Sequence, residues 1–317
     1  MVIRLPNWLG DVVMSLPIIR ALREARPDMY FIILGRSMFK EFIESLNLCE
    51  QYFEIDWRNK TSAFKILFQV RNTYPECQLL FTNSLRGDIE SLLIGATFRF
   101  GLVISSKKRP ILTNSFRINE MEFNSRHLTK TWEQMIQNFG YSGKVSYQPF
   151  SLNRSPQKNN STIKVGIALG SSNNPKKRWP TSYYIELIKF ISEYQKDVNI
   201  SLFGTKADLS ASNEIINGIH KFTVENYVGR TSISELALEF AECSLIIGCD
   251  SGAVHLANAV GTSTLTIFGP TNHVVTCPCY DGVKKDLVPA DNEHNMKDWS
   301  PIDVFGHYKK LVAQLII

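Results

Sequence analysis

Short apolar runs alternate along this chain with stretches whose apolar positions recur every three or four residues. The runs Val2 to Leu5, Tyr30 to Leu34, Tyr52 to Ile55, Leu79 to Thr82 and Phe98 to Leu102 read as buried strands. Helical spacing separates them, from about Asp11, over Met38 to Leu46, Phe64 to Thr73 and Leu85 to Ile94, and again at Thr131 to Phe139. The same alternation resumes with strands at Ile163 to Leu169, Asn199 to Phe203, Leu245 to Gly248 and Thr264 to Phe268, and with helices at Tyr183 to Tyr194, Leu209 to Ile219 and Ser234 to Ala241. Strands alternating with helices imply doubly wound parallel sheets, an α/β class. Two stretches break the rhythm. Ser105 to Asn124 is basic and poorly periodic and reads as a long loop at a sheet edge. The polar Ser151 to Ser161, with a proline and no periodicity, reads as a domain boundary. The division expected is a first domain over 1–150, a linker over 151–162, a second domain over 163–300, and a C-terminal helix from 301 that could pack back on the first domain.

The segment Ser244 to Pro270, SLIIGCDSGAVHLANAVGTSTLTIFGP, is strand, tight turn, helix, strand, with Gly261 as a left-handed stop. A helix opening Ser-Gly-Ala at the end of a buried strand leaves backbone N–H groups uncovered, and such a start suits an anion. Asp250 alone would be an ordinary helix cap and His255 alone a half-buried histidine. Together with Ser251, and with Gly252 lacking a Cβ where a ligand would approach, they favour a phosphate or diphosphate pocket. Two other turns stand at the carboxyl ends of expected strands, where open α/β sheets bind ligands. Gly170 to Pro180 offers the hydroxyls of Ser171 and Ser172 beside Lys176, Lys177 and Arg178, a set able to meet a diphosphate or simply to form a solvated basic loop. Pro6 to Asp11 delivers the carboxylate of Asp11, a plain cap taken alone, but a possible general base if the two domains face each other.

Length and charge narrow the chemistry. The 317 residues suffice for two α/β domains, and 44% hydrophobic with 21% charged residues is the balance of a water-soluble globular chain. No apolar run approaches a membrane span, and MVIRL opens as a strand rather than a secretory signal, so a cytoplasmic location is expected. Residues 1–150 carry 19 Lys and Arg against 14 Asp and Glu, whereas 151–317 carry 16 of each. All the surplus charge lies in the first half and points to an anionic partner, a phosphorylated substrate or an anionic membrane face, with solubility as the duller explanation. No nucleic-acid motif appears and none is expected to bind. The six cysteines suit reduced thiols, and Cys277 and Cys279, the nearest pair, do not have a usual zinc spacing, so no metal or cofactor is expected. G-x-G-x-x-G after the first strands, the Walker pattern and an Asp-x-Asp pair are all missing from the sequence. Cationic side chains and helix N-termini would have to neutralise a leaving diphosphate.

The segments NWLGDVVMSLP (7 to 17), KRWP (177 to 180), LFG (202 to 204), VGRTS (228 to 232) and DSGAVHLANAVGTSTLTIFGPT (250 to 271) resemble glycosyltransferase family 9, the ADP-heptose:lipopolysaccharide heptosyltransferases, almost end to end. TNSLRGDIESLLIGATFRFG (82 to 101) looks more like the heptosyltransferase II branch. The resemblance implies a two-domain GT-B fold with two Rossmann-like sheets facing a central cleft. It implies metal-independent, inverting transfer of heptose from ADP-heptose to the phosphorylated inner core of lipopolysaccharide, performed peripherally at the cytoplasmic face of the inner membrane. Carried over, Asp11 becomes the general base, Lys177, Ser171 and Ser172 bind the donor phosphates, and Asp250, Ser251, Gly252 and His255 form the phosphate motif. Arg86, Lys107, Lys108 and Arg109 are the candidates for the acceptor. One departure stands out: where some members have a ribose-binding glutamate the turn reads Gly204-Thr205-Lys206-Ala207-Asp208, leaving Asp208 as a substitute acceptor. Another nucleotide sugar, or a catalytically silent nucleotide-sugar binding protein, are the alternatives.

Overall fold

The computed structural model describes residues 1–105, 107–152, 163–170, 175–288 and 295–315. They fall into two compact units, Met1–Tyr147 and Gln148–Ile317, which divide just ahead of the expected boundary. Most of the expected linker, residues 153–162, lies outside the described residues.

The first unit runs β1 (Val2–Arg4), α1 (Leu9–Ala25), β2 (Ile32–Gly35), α2 (Lys40–Ser45), β3 (Gln51–Glu54), α3 (Lys60–Arg71), β4 (Cys77–Leu80), α4 (Leu85–Ile94), β5 (Phe98–Ile104), β6 (Asn114–Ile118), α5 (Glu120–Asn124) and α6 (Leu128–Asn138). Its six strands are parallel in the order β3-β2-β1-β4-β5-β6. Chain direction across the sheet reverses between β1 and β4, the position at which open α/β sheets take ligands. One face is sealed by Val2, Ile32 and Leu34 from the sheet and Ala63, Leu67, Val70 and Ile94 from α3 and α4. The expectation of a loop over Ser105 to Asn124 is corrected here: β6 and α5 lie inside it. In β6 Ile118 is buried, Arg117 is exposed and the remaining three residues are half-buried, so an edge strand with solvent on its flank shows no apolar run to read.

Helix α4 is fixed by more than apolar contact. Ser84 caps it, its side chain accepting from the Gly87 N–H at 3.2 Å, and Gly95 ends it at φ +75°. On its inner face Glu90 accepts from Arg4 Nε at 2.5 Å and from the Trp57 indole, while Asp88 accepts from Arg109 Nη2 at 2.5 Å and Nε at 3.0 Å. Arg109 also donates to the Leu102 carbonyl at 2.7 Å. All four charged residues of the two pairs are buried.

The second unit repeats the plan with β7 (Ile163–Ala168), α7 (Thr181–Tyr194), β8 (Val198–Phe203), α8 (Leu209–Gly218), β9 (Val224–Asn226), α9 (Ile233–Glu242), β10 (Leu245–Cys249), α10 (Gly252–Ala259), β11 (Ser263–Ile267), α11 (His273–Thr276), β12 (Lys285–Val288) and α12 (Pro301–Ala313). Its parallel sheet has the order β12-β11-β10-β7-β8-β9, the same winding read from the other edge, with its reversal between β7 and β10. Gly261, at φ +84°, supplies the expected left-handed turn after α10. The C-terminal helix α12 packs within the second unit. Ser300 and Asp303 form a capping box at the start of α12, and Val304, Tyr308, Leu311 and Val312 join the core beside α7, β11 and β12. An apolar stripe along α12 matches the sheet face left open beside α7, and Tyr308 donates to Gln195 at 2.9 Å to close the contact.

Removing one partner of a buried ion pair strands the other charge without water. Arg109→Ala is therefore expected to lower unfolding stability by about 3–5 kcal/mol, measured by urea denaturation. A loss below about 1 kcal/mol, the worth of an exposed pair, would show that Asp88 and Arg109 do not meet as described.

Candidate functional site

In the second unit the site is built where the winding reverses. Strand β10 is buried over its whole length between β7 and β11, so its carboxyl end is a fixed platform. The chain leaves it through Asp250, whose N–H still donates to the Ile267 carbonyl at 3.1 Å, and Ser251, the N-cap of α10. Asp250 is thus not the cap. Its carboxylate, buried beneath the surface, reaches Lys177 Nζ with one oxygen at 2.9 Å and stands 3.7 Å from His255 Nε2 with the other. Burial by itself would raise the Asp250 pKa; the His255 ring and the Lys177 charge outweigh that and hold it at about 2. Asp250 stays ionised at neutral pH.

The Ser251 hydroxyl is buried, does not cap α10, and has no hydrogen-bond partner among the described residues. The Thr271 hydroxyl, after the adjacent strand β11, is in the same condition. Buried hydroxyls left unsatisfied cost free energy, and at a helix start they are the donors an oxyanion would satisfy. The cluster therefore presents an ammonium, an imidazole, a spare hydroxyl and the first N–H groups of α10. A carboxylate repels phosphate, so the geometry suits Asp250 to orienting Lys177 and His255 rather than to touching an anion.

The Lys177 turn is itself held from behind. Trp179 is buried; its indole N–H donates to the Trp299 carbonyl at 2.9 Å, and the Trp299 indole donates to the Phe268 carbonyl at 2.9 Å. Trp179 packs edge-on against Tyr184, whose hydroxyl meets Cys249 Sγ at 3.3 Å directly below Asp250. The sequence pattern does not single out Trp299, although Trp179-Pro180 and Trp299-Ser300-Pro301 introduce two helices that pack together.

Gly252 opens α10, and Ser171 and Ser172 lie outside the described residues. Asp11, half-buried, is the third residue of α1, in the first turn after β1. Arg86, in the first turn of α4, and Lys107 and Lys108 are exposed. Arg109 is corrected: its buried guanidinium is taken by Asp88 and Leu102, so it serves the fold and cannot meet an acceptor. Asp208 is corrected as well. One of its oxygens accepts from the Thr205 N–H and hydroxyl at 2.8 Å each, the other faces Arg178 at 3.3 Å, and the carboxylate fills the space that a side chain at Gly170 or Gly204 would need. The carboxylate is buried and engaged by its own turn and by Arg178. Lys206, beside it, is exposed. Burial pushes the Cys279 thiol up to about 12, which keeps it protonated.

Two Rossmann-wound parallel sheets, one in each unit, define the GT-B class of fold. The family model for glycosyltransferase family 9 (heptosyltransferase) matches residues 65–308, and the chain belongs to that family. It is 28% identical over 338 aligned residues to lipooligosaccharide heptosyltransferase 2 of Campylobacter jejuni, spanning 98% of this chain and 97% of that protein. Among solved structures it resembles the ADP-heptose lps heptosyltransferase II of E. coli, with a TM-score of 0.82 at 18% identity, covering 99% and 98% of the two chains. A family 9 glycosyltransferase of Veillonella parvula superposes with a TM-score of 0.85 at 16% identity, covering 99% and 97%.

The depressed Asp250 pKa sets a pH window. Its ionised form contributes stability that is fully present above about 3.8, the unfolded value, and is lost as pH falls toward about 2. Asp250→Asn is expected to cost on the order of 2 kcal/mol at neutral pH, with the gap to the parent protein closing below about pH 4. Melting temperatures followed by circular dichroism would check this; a gap independent of pH would mean that the charge does not matter.

Proposed function

We propose that this heptosyltransferase moves a heptose from ADP-heptose to the phosphorylated inner core of lipopolysaccharide, working at the cytoplasmic face of the inner membrane. The observation that carries the donor assignment is the Asp250–Lys177–His255 cluster beside the unsatisfied Ser251 hydroxyl. It supplies positive charge and hydrogen-bond donors for a departing diphosphate without a metal ion, which supports metal-independent chemistry on this chain's own side chains. Curated relatives named lipooligosaccharide and lipopolysaccharide heptosyltransferase 2 support the acceptor class.

The transfer is read as inverting. The acceptor hydroxyl attacks the anomeric carbon, the bond from that carbon to the diphosphate oxygen breaks, and the proton of the attacking hydroxyl passes to the Asp11 carboxylate. Asp11 suits the role because it is a half-buried carboxylate in the first turn of α1, which follows β1 at the reversal point of the first sheet. Lys177, with His255 and Ser251, meets the negative charge that grows on the leaving group. Ser171 and Ser172 complete the donor loop in this reading, and Arg86, Lys107 and Lys108 meet the acceptor phosphates. A second reading keeps the chemistry but changes the nucleotide sugar. It is favoured by one observation: Asp208 is occupied and Lys206 is exposed, so no carboxylate is offered to a ribose from that turn.

Three variants separate the steps. Lys177→Ala should weaken nucleoside diphosphate binding by about 1.5–3 kcal/mol in calorimetry. Asp11→Asn should fold and bind donor normally while kcat falls by at least about 10²-fold. Reversing the charges of Lys107 and Lys108 should raise the acceptor KM and leave donor affinity unchanged. An Asp11→Asn protein with most of its turnover would remove the base assignment. Thermal protection decides the donor: the true nucleotide sugar, at a hundred times its Kd, should stabilise by about 2.7 kcal/mol, and protection by UDP- or GDP-sugars alone would favour the second reading.

A further inference from the structure

Helices α3 and α4 lie side by side on the first unit. Arg71 of α3 donates to the Leu93 carbonyl of α4 at 3.2 Å, and Trp57 bridges the other end, 5.6 Å from the Phe64 ring and 5.8 Å from the Arg86 guanidinium. Their inner faces are core, but the outer surface is not polar. Phe64 and Phe68 on α3, and Leu85, Ile89 and Leu92 on α4, are between 42 and 73% exposed. The spacings i, i+4 on α3 and i, i+4, i+7 on α4 put each set on one stripe of its helix. Scattered exposed apolar residues are ordinary, whereas five on two adjoining helices mark a surface that meets something.

The charges say what it meets. Lys60, Lys65, Arg71 and Arg86 are exposed on the same two helices. Helix α3 has no acidic residue, and the two of α4, Asp88 and Glu90, are buried and matched to Arg109 and Arg4. The outer surface of the pair thus presents apolar and cationic side chains without an exposed carboxylate. That combination is the one by which a surface helix settles into an anionic lipid interface, apolar groups among the acyl chains and cations at the headgroups. Among the described residues no helix is long and apolar enough to cross a membrane, so attachment here would be from one side.

We infer that the α3–α4 face is a membrane-docking surface for anionic lipid. It gives a location to the membrane reading made above and rests on that reading, but it is independent of the donor site. The test is co-sedimentation with vesicles of phosphatidylcholine alone and of phosphatidylcholine mixed with phosphatidylglycerol. The unmodified protein should bind the mixed vesicles and not the neutral ones. The variants Phe68→Ser with Leu92→Ser, and Lys60→Glu with Lys65→Glu, should each weaken binding by about tenfold or more, with unchanged melting temperature and unchanged nucleoside diphosphate affinity. Failure of the unmodified protein to bind mixed vesicles, or variants that bind as well as it does, would overturn the inference. So would a concentration-dependent dimer in sedimentation that the Phe68→Ser, Leu92→Ser variant abolishes without any lipid binding, since the face would then belong to a second copy. Loss of donor binding with vesicle binding intact would strike only the transferase reading.

Discussion

The buried carboxylate of Asp250 is the constraint on which the candidate site of the second unit depends. A lysine on a short turn after β7 and a histidine in the second turn of a helix after β10 have no reason to sit together unless something between them is negative. Asp250 provides that charge at a place where water cannot screen it, and the His255 ring and the Lys177 charge keep it ionised in spite of burial. The rest follows from how rigidly the three are presented: a wholly buried strand beneath Asp250, a helix start around His255 and an indole lattice behind Lys177. An anion entering such a site finds its donors already oriented, so little reorganisation remains for the reaction itself to supply.

The first unit uses the same device for a different end. Asp88 and Glu90 are one turn's neighbours on α4, and each is matched by an arginine from outside the helix. Their burial anchors α4 and at the same time removes every carboxylate from the helix's outer surface. A structural arrangement inside therefore sets the sign of the charge outside, which hydrophobic packing alone would not have done.

How much of this the sequence revealed depends on where each residue sits relative to water. The interior strands, such as β1, β7, β10 and β11, are largely buried and read as short runs. Strands β6, β9 and β12 did not, and all three are sheet edges whose exposed flanks carry residues such as Arg117, Glu225 and Lys285. The phosphate turn was legible because Asp250, Ser251, Gly252 and His255 are close in sequence. The pairing of Asp250 with Lys177 was not, since 73 residues separate them. Arg109 misled because a basic stretch, SSKKRP, contains one arginine that turns inward and two lysines that do not, and only the position of Asp88 on another element tells them apart. Asp208 misled likewise: its neighbours Thr205 and Arg178 consume it, the first by local capping and the second from a loop thirty residues away.

The tie from Trp179 to Trp299 has a consequence for the order in which the protein comes into being. Once the chain has been made as far as α10, every side chain of the phosphate cluster exists. The carbonyl that receives the Trp179 indole, and the indole that grips the Phe268 carbonyl, arrive only near residue 299, ahead of the last helix. The long sequence separation of that contact places its formation late, after the local βα units have closed. A growing chain therefore acquires the groups of the candidate site well before it acquires the Trp299 frame that holds them.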